Sequence, residues 1–168
     1  MNYEVDWLTR WDIPKVLEIE YLCFEFPWDE AQLRDTLKRR PVIARVIKRN
    51  KVLLGYVIYA IYEDKLELLN MAVLPSMQRK QCGAFLLGNL LHRIERRRRK
   101  RVTALVRESN LEAQLFLKKM GFKAVEIKYN AYEETDDAGY LMECYVGQNV
   151  IKPKHNRIFQ ENLNERVD

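Results

Sequence analysis

The sequence predicts an α/β protein built on a mixed sheet, and its order of segments is the main reason. Two helix-like stretches come first, then a meander of strand-like stretches, then strand, helix, strand, helix and strand. The chain has 168 residues, 48% hydrophobic and 32% charged, which fits one domain able to bury its own core. No internal repeat or low-complexity linker interrupts it before residue 147.

Asp12-Ile13-Pro14 reads as the capped start of a first helix, with proline tolerated in the first turn. Ile13, Val16, Leu17, Tyr21 and Phe24 would give that helix one buried face. Pro27 interrupts it, and Asp29 caps a second helix running to about Lys38. Residues 42–48 and 52–62 alternate or run apolar around the polar turn Arg49-Asn50-Lys51, so they read as a hairpin. Residues 66–73 make a further strand.

Residues 84–97 carry Leu87, Leu90, Leu91 and Ile94 at helical spacing, and residues 102–106 are a short strand. A helix over residues 111–120 would turn Leu111, Leu115, Phe116 and Met120 inward and stop at Gly121. Residues 122–129 and 140–146 finish the sheet. Residues 147–168 form a polar tail, with a short helix expected near residues 157–163.

Composition narrows the function. The net charge is +5, and much of it lies in six consecutive basic residues that end at Arg101. Such a run suits a solvated helix end, where it complements the dipole; contact with nucleic acid is the alternative, without the interleaved aromatic residues of a strand-binding groove. The longest apolar run, residues 52–62, is shorter than the roughly 20 residues a membrane helix needs. The first eleven residues lack the apolar core of a signal peptide. Cys23, Cys82 and Cys144 are far apart, as are the two histidines, so no metal site is expected and a reducing, cytoplasmic setting is.

The stretch VLPSMQRKQCGAFLL, from Val73 to Leu87, carries the clearest chemistry. A strand leads through a basic loop into a helix, and the unpaired amides of a helix start receive anions. Arg79 and Lys80 add charge there, and Gly83 allows close approach to the backbone.

Gln78-Arg79-Lys80-Gln81-Cys82-Gly83 resembles the motif of the GCN5-related N-acetyltransferases: Gln or Arg, two residues, Gly, one residue, then Gly or Ala. The resemblance extends over roughly Tyr3 to Val146. Phe26-Pro27-Trp28, Asn70-Met71-Ala72-Val73, Val106-Arg107-Glu108-Ser109-Asn110, Met120-Gly121-Phe122 and Asn130-Ala131-Tyr132 resemble the RimI-type branch most. Members of that branch acetylate the N-terminal amine of a ribosomal protein.

The resemblance implies a mixed, mostly antiparallel sheet of six to seven strands flanked by about four helices. It also implies an acetyltransferase domain over residues 1–146 and acetyl-CoA as cosubstrate. Backbone groups of Met71, Ala72 and Val73 would hold the cofactor's arm. The loop from Gln78, with amides of Arg79, Lys80, Gln81, Cys82, Gly83 and Ala84, would cradle its pyrophosphate. Asn110 would touch the arm from the next helix, with Ser109 and Glu112 forming the capping box instead. Phe26, Pro27, Trp28 and Tyr132 would line a groove for a protein or peptide N-terminus, in a monomer or weak dimer. Cys82 reads as a small packed hydrophobe.

Amide formation by direct attack needs a base for the acceptor's ammonium and an acid for the leaving group, but no covalent enzyme intermediate. The branch's base and acid positions are Leu105 and Leu117 here, and neither moves a proton. Glu67 is the substitute base, with Glu108 behind it. Tyr132 is the candidate acid, with Tyr129 behind it. Glu25 and the acidic residues 133–137 would attract a cationic peptide or form a solvated loop. Two alternatives remain: acetyl-CoA binding with little catalysis, and acetyl transfer to a lysine or a small amine.

Overall fold

The computed structural model describes residues 3–95 and 101–146. Most of the basic run and the polar tail, with its expected helix, lie outside the described residues. The elements are β1 (Glu4–Trp7), α1 (Ile13–Cys23), α2 (Glu30–Lys38), β2 (Val42–Arg49), β3 (Val52–Ile61), β4 (Lys65–Val73), α3 (Cys82–Glu95), β5 (Arg101–Arg107), α4 (Leu111–Lys119), β6 (Lys123–Lys128) and β7 (Gly139–Tyr145). One seven-stranded sheet has the order β1-β2-β3-β4-β5-β7-β6. Every neighbouring pair is antiparallel except β4 and β5. This is the mixed, mostly antiparallel sheet with four helices that the sequence predicts.

Each face of the sheet has its own core. Leu87 and Leu91 of α3 and Leu117 of α4 pack with Val57, Leu66, Val102, Val106 and Met142. On the other face, Ile13, Val16 and Ile19 of α1 and Leu33 of α2 pack with Val46, Tyr56, Ile58 and Ala72. Helix α2 begins with a complete capping box: Asp29 Oδ1 accepts from the Gln32 amide at 2.7 Å, and Gln32 Oε1 accepts from the Asp29 amide at 2.9 Å.

Three local expectations need correction, and one strand was missed. Asp12 does not cap α1, because its carboxylate accepts from the Thr9 amide and hydroxyl, both at 2.8 Å, and pairs with Lys48 at 3.1 Å. The inward stripe of α1 is Ile13, Val16, Ile19 and Glu20, which leaves Tyr21 79% exposed. Leu111 and Leu115 of α4 are exposed as well, since Leu117 and Met120 make that helix's buried contacts. Strand β1 was not legible: it is a four-residue edge strand with Glu4, Asp6 and Trp7 exposed, so its side chains show no apolar alternation.

Two features of β4 shape the site. A bulge places Ile58 opposite Asn70 and Tyr59 opposite Leu68, leaving Leu69 as the extra residue. In addition, β4 pairs with β5 only over Lys65 to Leu68, against Arg101 to Ala104, and the two strands then part. The parted end of β4 is held from the other side. At Gly55 a Cβ would lie 2.6 Å from the Ala72 carbonyl oxygen, so β3 approaches β4 at a distance only glycine permits.

The second hold on β4 is a buried carboxyl. Glu20, 1% exposed on α1, accepts from the Tyr56 hydroxyl of β3, from Asn70 Nδ2 of β4 and from the Trp28 amide at 3.1 Å. Burial raises the pKa of Glu20 against the opposing pull of these three donors. The Tyr56 hydroxyl is pushed well above its usual value by its own burial and by Glu20.

Gly55→Ala is expected to cost about 1–3 kcal/mol through overpacking, read as a drop of several degrees in Tm; an unchanged Tm would refute the close approach. For Glu20 the folded state binds the carboxyl proton more tightly than the unfolded chain. Its contribution is therefore full at low pH and is lost as pH rises above about 4.5 through the raised value. The Tm difference, wild type minus Glu20→Gln, should shrink across that window. A difference that stays constant with pH in stepped melts would exclude this linkage.

Candidate active site

The loop between β4 and α3 is shaped for an anion. Arg79 and Gln81 both adopt positive φ, 58° and 64°, a conformation that costs a non-glycine residue roughly 1–2 kcal/mol. Tyr3 holds the loop in place by donating its hydroxyl to the Lys80 carbonyl at 3.1 Å. The first hydrogen bond of α3 runs from the Phe85 amide to the Gln81 carbonyl at 2.9 Å. The amides before it, those of Cys82, Gly83 and Ala84, therefore have no acceptor within the helix. Arg79, Lys80 and Gln81 are exposed around them, and Cys82 is buried beneath.

Not every polar group of the loop faces outward. Gln78 donates through Nε2 to the Val73 carbonyl at 3.3 Å, and the Cys23 thiol donates to the same oxygen at 3.3 Å. Arg79 makes an exposed ion pair with Glu112 of α4 at 2.8 Å. Ala72 and Val73 are buried and Met71 partly so, all on the length of β4 that has no β5 partner. A phosphate-bearing cofactor with a long arm fits this set of groups: amides and cations at the helix start, then an unpaired strand edge leading inward.

Asn110 is the cap of α4, its Oδ1 accepting from the Ala113 amide at 3.0 Å. The capping box expected at Ser109 is not formed, because the Ser109 hydroxyl donates to Asp137 at 3.3 Å and Glu112 is engaged with Arg79. Asn110 Nδ2 points no hydrogen bond at the protein among the described residues.

The residues expected to line an acceptor groove lie on the sheet face that carries α1. Val102, Ala104 and Val106 of β5 belong to the α3 and α4 core, so Thr103, Leu105 and Arg107 emerge on the opposite face. Helix α1 packs on β3 and β4 and α2 on β2, and Leu105 is left 41% exposed beyond them. Arg107 lies between two aromatic rings, 3.9 Å from the centroid of Tyr132 and 4.9 Å from that of Phe26. It also pairs with Glu134 at 3.4 Å and Asp137 at 3.2 Å and donates to the Thr135 hydroxyl. Arg107 thus ties the Phe26-Pro27-Trp28 segment to the loop carrying Tyr132. It also offsets part of the acidic charge of residues 133–137. Glu25 and Glu133 remain exposed.

The proton-transfer candidates are placed differently from one another. Glu67 is on the α1 face of β4, beside Ala60 and Thr103, with its side chain 36% exposed and Lys65 at 3.4 Å. Glu108 is engaged, accepting from the Ala138 amide at 3.0 Å. The Tyr132 hydroxyl has a raised pKa, chiefly from burial, with Arg107 pulling the other way. Tyr129 is 78% exposed. Leu117 is buried in the α3 and α4 core, away from this face. The Cys82 thiol is pushed up to about 11 by burial, and the Cys23 thiol is raised as well, so neither is a thiolate at neutral pH. Sequence reasoning missed Glu20 and the double stacking of Arg107. A glutamate on the apolar stripe of Ile13 and Val16 was the available signal for the first.

Among the described residues no helix is long and apolar enough to cross a membrane, and no group of side chains is arranged to hold a metal ion. The ribosomal protein bS18-alanine N-acetyltransferase of Haemophilus influenzae is 29% identical over 138 residues, covering 80% of this chain and 93% of that protein. The enzyme of the same description from Escherichia coli is 30% identical over 129 residues, 77% of this chain and 86% of its own. A crystal structure of the ribosomal-protein-S18-alanine N-acetyltransferase from Escherichia coli shares the fold, with a TM-score of 0.78 over 92% of this chain and all of that one, at 23% identity. Arabidopsis thaliana Naa50, solved with the bisubstrate analogue CoA-Ac-MVNAL, shares it with a TM-score of 0.73 over 85% of this chain and 98% of that one, at 14% identity. The sequence profile of the acetyltransferase (GNAT) family matches residues 13–122. This chain therefore belongs to the acetyltransferase (GNAT) family and is an acetyl-CoA-dependent N-acetyltransferase.

Proposed function

We propose that the acceptor is the N-terminal amine of a protein, in the manner of the bS18-alanine acetyltransferases, and that the enzyme works in the cytoplasm. The observation that carries this reading is the cluster on the α1 face in which Arg107 contacts the rings of both Phe26 and Tyr132, next to the part-exposed Leu105. A ribosomal protein is the acceptor class that the relatives' names favour.

Acetyl-CoA supplies the acetyl group as a thioester. The amides of Gly83 and Ala84, with Arg79, Lys80, Gln81 and the backbone of Cys82, receive its pyrophosphate, and the free edge of Met71, Ala72 and Val73 receives its arm. Gln78 steadies the turn through the Val73 carbonyl, and Asn110 offers Nδ2 from the cap of α4. Glu67 accepts the proton that the acceptor's ammonium must lose. Tyr132 keeps its proton through neutral pH, because burial raises it, and so serves as the acid. Phe26, Pro27 and Trp28 form one wall of the groove. The amine attacks the thioester directly, and the raised Cys82 and Cys23 thiols accord with a route that has no covalent enzyme intermediate.

The deciding assay measures CoA release on a panel of N-terminal peptides, a lysine peptide blocked at its N-terminus and simple primary amines. Preferential turnover of free N-terminal peptides is expected, and preference for the blocked lysine peptide or a small amine would overturn the acceptor assignment. Glu67→Gln should lower kcat at neutral pH by roughly tenfold or more, while calorimetry shows acetyl-CoA binding intact. Wild-type turnover from neutral to mildly alkaline pH in that variant would remove Glu67 from the mechanism.

A further inference from the structure

The two leucines at the branch's usual proton-transfer positions raise the question of what else on this face accepts a proton. The strand register answers it. Glu67 of β4 lies beside Thr103 of β5, and Thr103 lies beside Glu143 of β7. Leu66, Val102, Ala104, Met142 and Cys144, their immediate neighbours, all belong to the α3 and α4 core or pack against it. Side chains alternate along a strand, so Glu67, Thr103 and Glu143 form one row across three strands on the α1 face. That row is the second-last pairing before β4 and β5 part.

The middle of the row is chemically incomplete. Thr103 is 3% exposed, yet its Oγ1 has no hydrogen-bond partner among the described residues. A buried hydroxyl brings one donor and two acceptor sites, and buried polar groups are nearly always satisfied, by water or ligand if not by protein. The flanking carboxylates are held loosely. Glu67 meets Lys65 at 3.4 Å through Oε2, and Glu143 meets Arg101 at 3.4 Å through Oε1. Arg101 has a closer partner, Asp64 at 2.7 Å. Oε1 of Glu67 and Oε2 of Glu143 therefore have no partner among the described residues.

The next row on this face is Leu105 beside Leu141. Glu143, two residues from Leu141, is thus the diagonal neighbour of Leu105, a separation of about 7–8 Å that a glutamate side chain reaches across. The adjoining strand thus carries a carboxylate within side-chain reach of position 105.

We propose that Glu143 and Thr103 act with Glu67 as one proton-accepting unit, in which the Thr103 hydroxyl holds a water between the two carboxylates. This rests on reading the parting of β4 and β5 as the reaction site. The N–H bond of the acceptor's ammonium breaks, its electron pair stays on nitrogen, and the proton passes through the water to form an O–H bond on one carboxylate, which later returns it to solvent. Glu67 and Glu143 are the proton acceptors, and Thr103 is a positioning residue.

The test compares wild type with Glu67→Gln, Glu143→Gln, the double variant, Thr103→Val and Thr103→Ser. Each is assayed across pH on whichever peptide or primary amine the wild type turns over best, with acetyl-CoA affinity from calorimetry. Glu143→Gln is expected to lose roughly tenfold in kcat at neutral pH, with the deficit closing as pH approaches the pKa of the acceptor amine. Thr103→Val should show the same pH-dependent loss and Thr103→Ser should recover it. The double variant should be little worse than either single one, as groups acting as a unit are not additive. Wild-type kcat in Glu143→Gln overturns the proposal, as does a deficit that is constant with pH, and multiplicative losses overturn the unit. Preference for a small amine or a lysine overturns the N-terminal acceptor alone, because the Glu143 comparison is still made on that acceptor. An inert wild type overturns both.

Discussion

The site exists because β4 has a strand partner along only half its length on one side. A sheet normally closes every backbone group of an inner strand on both sides, and a parted strand is therefore unstable unless something else fixes it. Here β3 provides the fixing at van der Waals range, through Gly55 against the Ala72 carbonyl. Helix α1 provides it through Glu20, which holds Asn70 just beyond the bulge at Leu69. The same carboxyl takes the Trp28 amide, so the cofactor edge and the acceptor wall share one anchor. Its burial costs free energy that a leucine would not. The return is that two separate walls of the site cannot drift independently.

Charge on the acceptor face is less available than composition implies. Five consecutive polar residues between β6 and β7 include four acids, but Arg107 is paired with two of them and stacked on two rings. Such an arginine is costly to pull away, since its cation contacts two rings and three polar side chains at once. On the proposed reading, selectivity for the acceptor would rest more on shape and apolar contact along Phe26, Leu105 and Tyr132 than on long-range attraction. The exposed acids Glu25 and Glu133 are left to act mainly on encounter, and salt screens that effect.

What the sequence made legible was whatever local chemistry decides. The capping box at Asp29, the turn between β2 and β3, the stop at Gly121 and the apolar spacing of Leu87, Leu90 and Leu91 all follow from rules acting over a few residues. The loop between β4 and α3 was legible for the same reason, since a basic loop before a helix start is a contiguous signal. Glu20 was not, because an acid in a helix looks solvated until its partners on β3 and β4, dozens of residues away, are known. The exposure of Leu111 and Leu115 escaped for the converse reason: helix periodicity fixes which residues share a face, not which face is turned inward. Asp12 was drawn off its cap by Thr9 and Lys48, a competition that spacing alone does not rank. The row Glu67, Thr103, Glu143 depends on register between three strands, one of them joined out of sequence order, and no local pattern encodes that.

The leucines at 105 and 117 have different consequences. Leu117 is sealed in the α3 and α4 core, where a hydroxyl would need a buried partner and an aliphatic side chain needs none. Its loss of a proton-transfer role there is balanced by better packing. Leu105 stays on the acceptor face, where its side chain fills the space in front of Gly139: a Cβ on that glycine would lie 2.7 Å from Leu105 Cδ1 and 3.0 Å from Ala131 Cβ. A leucine at 105 and a glycine at 139 thus fit as a pair, and together they make an apolar step between Arg107 at the mouth and the acidic row behind. In the proposed mechanism an ammonium crossing that step would lose water before it meets a carboxylate. Desolvation disfavours the charged amine, so on that reading the step would favour release of the proton to the row behind it.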